Sequence, residues 1–191
     1  MPVSNIEFMY ESAPVAGCAG SCCSDCASSP SDVSTMRKVM YDLYLAGASG
    51  AWYWCDSAWD IITLGTSKGY QYCSILSKFL SSVKHLVEME PHDELLTVDK
   101  QGVEYIGHVL ALRGVEYVIH VRSVDSGFSI SITDATTPLT GLWFDPVTGN
   151  SSTLVSSLAN GTHQFTAPKG FAADDIVLHL YQPTIVPGDV H

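Results

Sequence analysis

Glu116-Tyr117-Val118-Ile119-His120-Val121 and, soon after, Phe128-Ser129-Ile130-Ser131-Ile132 decide the fold of this chain. The second segment alternates apolar and hydroxyl side chains with period two, the pattern of a strand with one face on a core. The first clusters the β-branched and aromatic residues that fit a pleated backbone. Val103-Glu104-Tyr105-Ile106, Trp143-Phe144, Gln164-Phe165 and Ile176-Val177-Leu178-His179-Leu180 continue the series, with Gly, Asp and Ser between the runs. Asp145-Pro146-Val147-Thr148-Gly149 reads as a turn, Pro presetting φ and Gly supplying positive φ. No segment beyond Pro91 has helical periodicity. An antiparallel β-sandwich is therefore expected there, its boundary falling between Pro91 and Gln101.

Upstream the grammar is different. Val3 to Met9 reads as a short strand, and the stretch from Ser12 to Ser31 is a long loop of small residues. Ser31-Asp32 or Ser34 can cap a helix whose apolar face is Val33, Met36, Val39, Met40 and Leu43, ended by Gly47 and Gly50. Ala51-Trp52-Tyr53-Trp54-Cys55 is apolar on both faces, as a buried parallel strand should be. A second helix is expected from about Gly69 to Glu88. Its stripe would be Cys73, Leu76, Phe79, Leu80, Val83 and Val87, and Pro91 would stop it. Strand, helix, strand, helix is the repeating unit of a parallel α/β fold.

Composition bounds the partners. A chain of 191 residues with 46% hydrophobic and 15% charged content is globular. Its net charge of −11 argues against a nucleic-acid backbone or an anionic membrane, both of which need a basic face. Neutral sugars remain acceptable partners. No apolar run reaches the ~18–20 residues of a membrane helix, and no basic-then-apolar signal segment opens the chain.

Four of the six cysteines crowd together as Cys18, Cys22, Cys23 and Cys26 in a Gly/Ser/Ala-rich loop. Disulfides are the first reading; free or mixed thiols and a metal site are the others. No histidine lies near the cluster to complete metal-ligand spacing, and no metal is assigned. Asn150-Ser151-Ser152 and Asn160-Gly161-Thr162 match the glycosylation acceptor pattern. Together with the cysteines they point to an extracellular origin, with the secretion signal on a part not contained in these residues. His120 and His179 sit inside strands with no acidic or cysteine partner at ligand spacing and read as packed or edge histidines. Asp174-Asp175 falls short of the oxygen set that calcium requires.

The opening run Pro2-Val3-Ser4-Asn5-Ile6-Glu7-Phe8-Met9-Tyr10-Glu11 sets two carboxylates around an aromatic pair just after an apolar segment. Such a strand could deliver acid groups to a sugar-binding mouth; the plainer reading is two exposed carboxylates. Trp52, Tyr53, Trp54 and Trp59 offer faces that stack on sugar rings or fill a core. Alternation sends Trp52 and Trp54 to one side. Trp52 is assigned to the core. Trp54, nearer the carboxyl end of its strand, is the better candidate for a site.

In their order, these stretches resemble the apiosidase-like glycoside hydrolases, whose barrel precedes a domain named for collagen binding. Pro2 to Glu11 is similar to the seventh-strand motif, a Pro followed five residues on by Glu and then Tyr-Glu. Met36-Arg37 through Ala46-Gly47-Ala48-Ser49-Gly50 looks like the helix and turn before strand eight. Trp143 to Gly149, Phe165-Thr166-Ala167-Pro168 and Asp175-Ile176-Val177-Leu178 resemble the hairpin and closing strand of the sandwich. The chain departs from the pattern at Val147 (usually Arg), at Ile176 (usually Trp), and at Ala51-Trp52-Tyr53-Trp54, where a His-Thr-Tyr-Gly-like stretch is typical.

The resemblance implies a two-part α+β chain. Residues 1–92 would be an incomplete (β/α) barrel end, its last two βα units, and residues 93–191 an antiparallel β-sandwich. It implies Glu7 as a retaining nucleophile and an acid/base on a fourth strand that this sequence does not contain. Apart from the resemblance, the residues' own chemistry makes Glu11, Tyr10, Trp54 and Trp59 the candidates to bind substrate. The expected function is a part of a glycoside hydrolase acting on polysaccharide side chains, inactive by itself and using no cofactor. The expected partners are carbohydrate and either the remaining part of the barrel or a second copy. The alternatives are a non-catalytic extracellular module binding glycan or matrix, and a structural subunit of an extracellular assembly.

Overall fold

Strands of the first part of the chain pair in parallel and those of the second antiparallel. The computed structural model describes residues 3–5, 10–11, 33–51, 54–55, 69–98, 107–122, 127–171 and 175–183. β1 (Val3–Asn5) lies beside β3 (Ala48–Ala51), and β2 (Tyr10–Glu11) beside β4 (Trp54–Cys55). α1 (Val33–Leu45) crosses between the paired strands, and α2 (Tyr70–Ser82) follows them. Next in the chain come β5 (Glu90–Pro91), β6 (Leu96–Val98), β7 (Gly107–Leu112) and β8 (Glu116–Val121). β9 (Phe128–Ile132), β10 (Leu139–Phe144), β11 (Ser151–Leu158), β12 (Gly161–Phe165) and β13 (Ile176–Tyr181) complete the series.

These strands make a β-sandwich. One sheet has the order β11-β10-β13-β8-β7-β5, the other β12-β9-β6. Ile130, Ile132 and Phe165 of the small sheet pack against Tyr117, Ile119 and Leu178 of the large one. Trp143 meets Phe128 and Phe165 edge to face, each at 6.0 Å between centroids, the geometry that ring quadrupoles favour. β9 alternates buried and half-buried residues as its sequence predicts. β8 does not alternate: all six of its residues are buried. Its second face is covered by α1 and α2. There Leu110, Val118, Phe144 and Val177 share a core with Met40, Tyr41 and Phe79. The Phe79 ring lies tilted against Phe144, 4.5 Å between centroids, and burying one such ring contributes ~1.5–3 kcal/mol.

α2 ends at Ser82, with Val83 turned to extended geometry, and not at Glu88; Pro91 stops nothing and instead joins the sheet edge as β5. The cause is tertiary. The Glu116 carboxylate takes the backbone N–H groups of Lys84 and His85, so the chain leaves the helix there and Val87 is left 94% exposed. On α1 the buried residues are Met36, Arg37, Met40, Tyr41 and Leu45, while Val39 and Leu43 are only half buried. The face is turned toward Arg37 because that guanidinium finds a buried carboxylate. The expected strand at Ala51 to Cys55 is two short strands, β3 and β4, and Trp52 and Tyr53 lie outside the described residues. Val103 to Ile106 also lies outside them, and the strand described there is β7. β11, rich in serine, was not foreseen. It carries a bulge: Leu139 and Gly141 of β10 pair with Leu158 and Leu154, so β11 spends four residues where β10 spends two.

The β7–β8 hairpin turns at Gly114, at φ +76°, where an added Cβ would lie 2.2 Å from the Asp134 carbonyl oxygen. The Gly114 N–H donates to the buried Tyr117 hydroxyl at 2.7 Å, and that hydroxyl donates to the Thr133 carbonyl at 2.9 Å. Gly114→Ala therefore meets a wrong φ and a clash together. It is expected to lower stability by more than ~2 kcal/mol, measured by urea unfolding.

Candidate functional site

Of the residues singled out in the sequence, the described backbone brings three together. β2 and β4 are in register with Tyr10 opposite Trp54 and Glu11 opposite Cys55. Glu7, Trp59 and the cysteines Cys18, Cys22, Cys23 and Cys26 lie outside the described residues. Cys73 on α2 is half buried, its thiol 3.5 Å from the Met40 sulfur. Asn150 follows the Asp145 turn, in which the Asp145 carboxylate accepts from the N–H of Val147 at 2.8 Å and Gly149 takes φ +76°. Asn160 is clasped to another segment. Its amide accepts from the Ala135 N–H at 2.8 Å and donates to the Ala135 carbonyl at 3.1 Å. Among the described residues no group of three metal-ligating side chains forms, and no helix is long and apolar enough to cross a membrane.

The densest group of ionisable side chains lies between the helices and the large sheet. Asp175, just before β13, is 0% exposed. The Arg37 guanidinium reaches both of its oxygens, Nε at 3.3 Å and Nη2 closer. His120 on β8 points Nε2 at the same carboxylate (3.2 Å) and Nδ1 at Asp42 of α1 (3.2 Å). A carboxylate only accepts, so both contacts are hydrogen bonds when both ring nitrogens carry protons. Arg122 closes on Asp42 from the far side. Tyr41 stacks on the His120 ring at 5.1 Å, and Arg37 lies 5.0 Å over the Tyr72 ring. Next along the face, His179 Nε2 meets Glu116 at 2.7 Å, and Glu116 also holds the His85 N–H at 2.8 Å.

Burial and pairing oppose each other in this group, and pairing prevails. Burial pushes the Asp175 carboxyl up, but His120 and Arg37 more than reverse that and hold it at about 2, against a usual 3.8. Glu116 is likewise lowered: burial raises it, and His179 with the His85 N–H outweighs burial. Burial pulls Arg37 down while Asp175 raises it, with a net rise. Burial carries the Tyr41 hydroxyl well above its ordinary value. With Arg37 at 3% and Asp175, His120, Glu116 and His179 at 0% exposure, these groups offer no atom to a solute. Their work is to fasten α1 and the end of α2 to the sheet. Sequence reasoning missed them because each acid partner is remote in the chain. One signal was available: Glu116, Val118 and His120 share one face of a strand whose other face is Tyr117, Ile119 and Val121.

Residues 91–181 match the family model described as "Putative collagen-binding domain of a collagenase". Two solved structures resemble the whole chain. One, described as a glycoside hydrolase, has 17% identity and a TM-score of 0.73, with 100% of this chain and 44% of that one covered. The other is a glycoside hydrolase family 5 protein from Bacteroides vulgatus ATCC 8482, at 14% identity and TM-score 0.74, with 96% and 42% covered. At such identities the likeness establishes a shared fold. The chain spans less than half the length of either structure. No curated protein matches it.

The Asp175 contribution to stability is complete above the ordinary carboxylate range near pH 4. It is lost as pH falls toward 2, because the folded form resists protonation and the unfolded form does not. The difference between 3.8 and about 2 amounts to roughly 2.5 kcal/mol. Asp175→Asn is expected to be less stable at neutral pH and to lose less stability than the wild type between pH 4 and pH 2. Urea unfolding followed by ellipticity at several pH values checks both.

Proposed function

We propose that this chain is the closing part of an apiosidase-like, retaining glycoside hydrolase of the extracellular space, acting on polysaccharide side chains. Residues 1–92 supply the last two βα units and residues 93–191 the sandwich. The rest of the barrel comes from polypeptide beyond these residues or from another chain. The observation that carries the reading is the extent of the fold likeness to structures described as glycoside hydrolases, which takes in the parallel strand pairs as well as the sandwich. In this reading Glu7 is the nucleophile. Tyr10, Glu11, Trp54 and Trp59 line the sugar site, the first three on adjacent parallel strands. The cysteines between Cys18 and Cys26 cross-link their loop, and Asn150 and Asn160 carry glycans. The family match over residues 91–181 favours a second reading, a non-catalytic module that binds glycan or matrix.

Retaining hydrolysis needs two carboxyl groups ~5–5.5 Å apart, and general-acid assistance alone is worth about 10²–10⁴-fold. The 191-residue chain is therefore expected to release no 4-nitrophenol from aryl glycosides, yet to be retarded in gels containing neutral polysaccharide. Trp54→Ala should weaken that retardation about tenfold, the equivalent of ~1.4 kcal/mol. Turnover that vanishes in Glu7→Gln would place the partner acid within these residues and overturn the division of carboxylates. Retention by collagen with none by any polysaccharide would select the second reading.

A further inference from the structure

α1 and α2 cover the central strands β7, β8, β10 and β13 on the outer face of the six-stranded sheet, and from this packing we infer a single cooperative unit. The span that matches the collagen-binding-type family model then folds and moves as one body with α1 and α2, and any ligand it takes must bind away from this face. The inference holds under either reading of function. A sheet of an independent sandwich shows water an alternating, polar outer face. β8 and β13 do the opposite, with all six residues of β8 and the first five of β13 buried. Val118 and Val177 point away from the sandwich core and into the helices' core.

The polar groups on the same face carry the argument further, because they are completed from outside the matched span. Asp175 has its cation in Arg37 of α1, and His120 has its second carboxylate in Asp42 of the same helix. Glu116 takes the N–H groups of Lys84 and His85 at the end of α2. Without the helices, Asp175 and Glu116 would lose partners and the apolar residues between them would meet water. Removing one partner of a buried pair is strongly destabilising.

Hydrogen–deuterium exchange of the full chain through a urea series, read by mass spectrometry, tests the inference. Peptides of α1 and α2 and peptides of β8, β10 and β13 are expected to lose protection at one shared midpoint. Arg37→Met, on the helix side, and Val177→Ala, on the sandwich side, should each move that midpoint equally in both groups. Strands that stay protected where the helices exchange freely would overturn the proposal, as would either variant moving one group alone. If Arg37→Met does not fold, the wild-type series and Val177→Ala decide the matter.

Discussion

Placing Asp175 out of contact with water is tolerable only because Arg37 and His120 meet its carboxylate together, and much of the architecture follows from that requirement. Arg37 must face inward, which sets the rotation of α1. His120 must sit on the helix-facing side of β8, which sends Tyr117, Ile119 and Val121 into the sandwich core by the period of the strand. With α1 so oriented, Asp42 reaches the other nitrogen of His120 and Arg122 beyond it. One buried charge thus fixes a helix, a strand register and the join between them.

A second anchor works on the backbone. Glu116 is fully buried and spends its carboxylate on His179 and on two N–H groups just past α2. The helix end is thereby decided by a residue more than thirty positions away, and not by local propensity. Between the two anchors, the apolar contacts of Phe79, Phe144 and Val177 exclude water. That exclusion is what makes each hydrogen bond there strong and each lost partner serious.

How far the sequence could be read follows from these anchors. β9, the Asp145 turn and the existence of both helices were legible, because alternation, turn chemistry and helical spacing are local signals. The inward face of α1 was misjudged by ranking Val39 and Leu43 above Arg37, since an arginine is read as exposed until its carboxylate is known. The end of α2 was hidden for the same reason. β11 was missed because Ser151 to Thr153 and Ser157 carry little apolar signal and lie exposed. The strand–helix–strand order made a parallel pairing legible, but the first strand was read as ending at Met9, so the setting of Tyr10 and Glu11 opposite β4 was not. Pairing across a sheet is otherwise a property of the fold and leaves no mark on neighbouring residues.

The bulge in β11 has a bearing on how copies of this protein behave in a crowded solution. β11 is an eight-residue strand without a charged side chain, and no described strand lies beyond it in its sheet. A straight row of free backbone groups of that length would invite a neighbour to add its own strand, the first step of cross-β association. The two surplus residues between Leu154 and Leu158 break the row. An arriving strand can hold its hydrogen-bond spacing along one half of β11 and must lose it along the other. The irregularity acts as a guard against polymerisation, in a place where other proteins station a lysine.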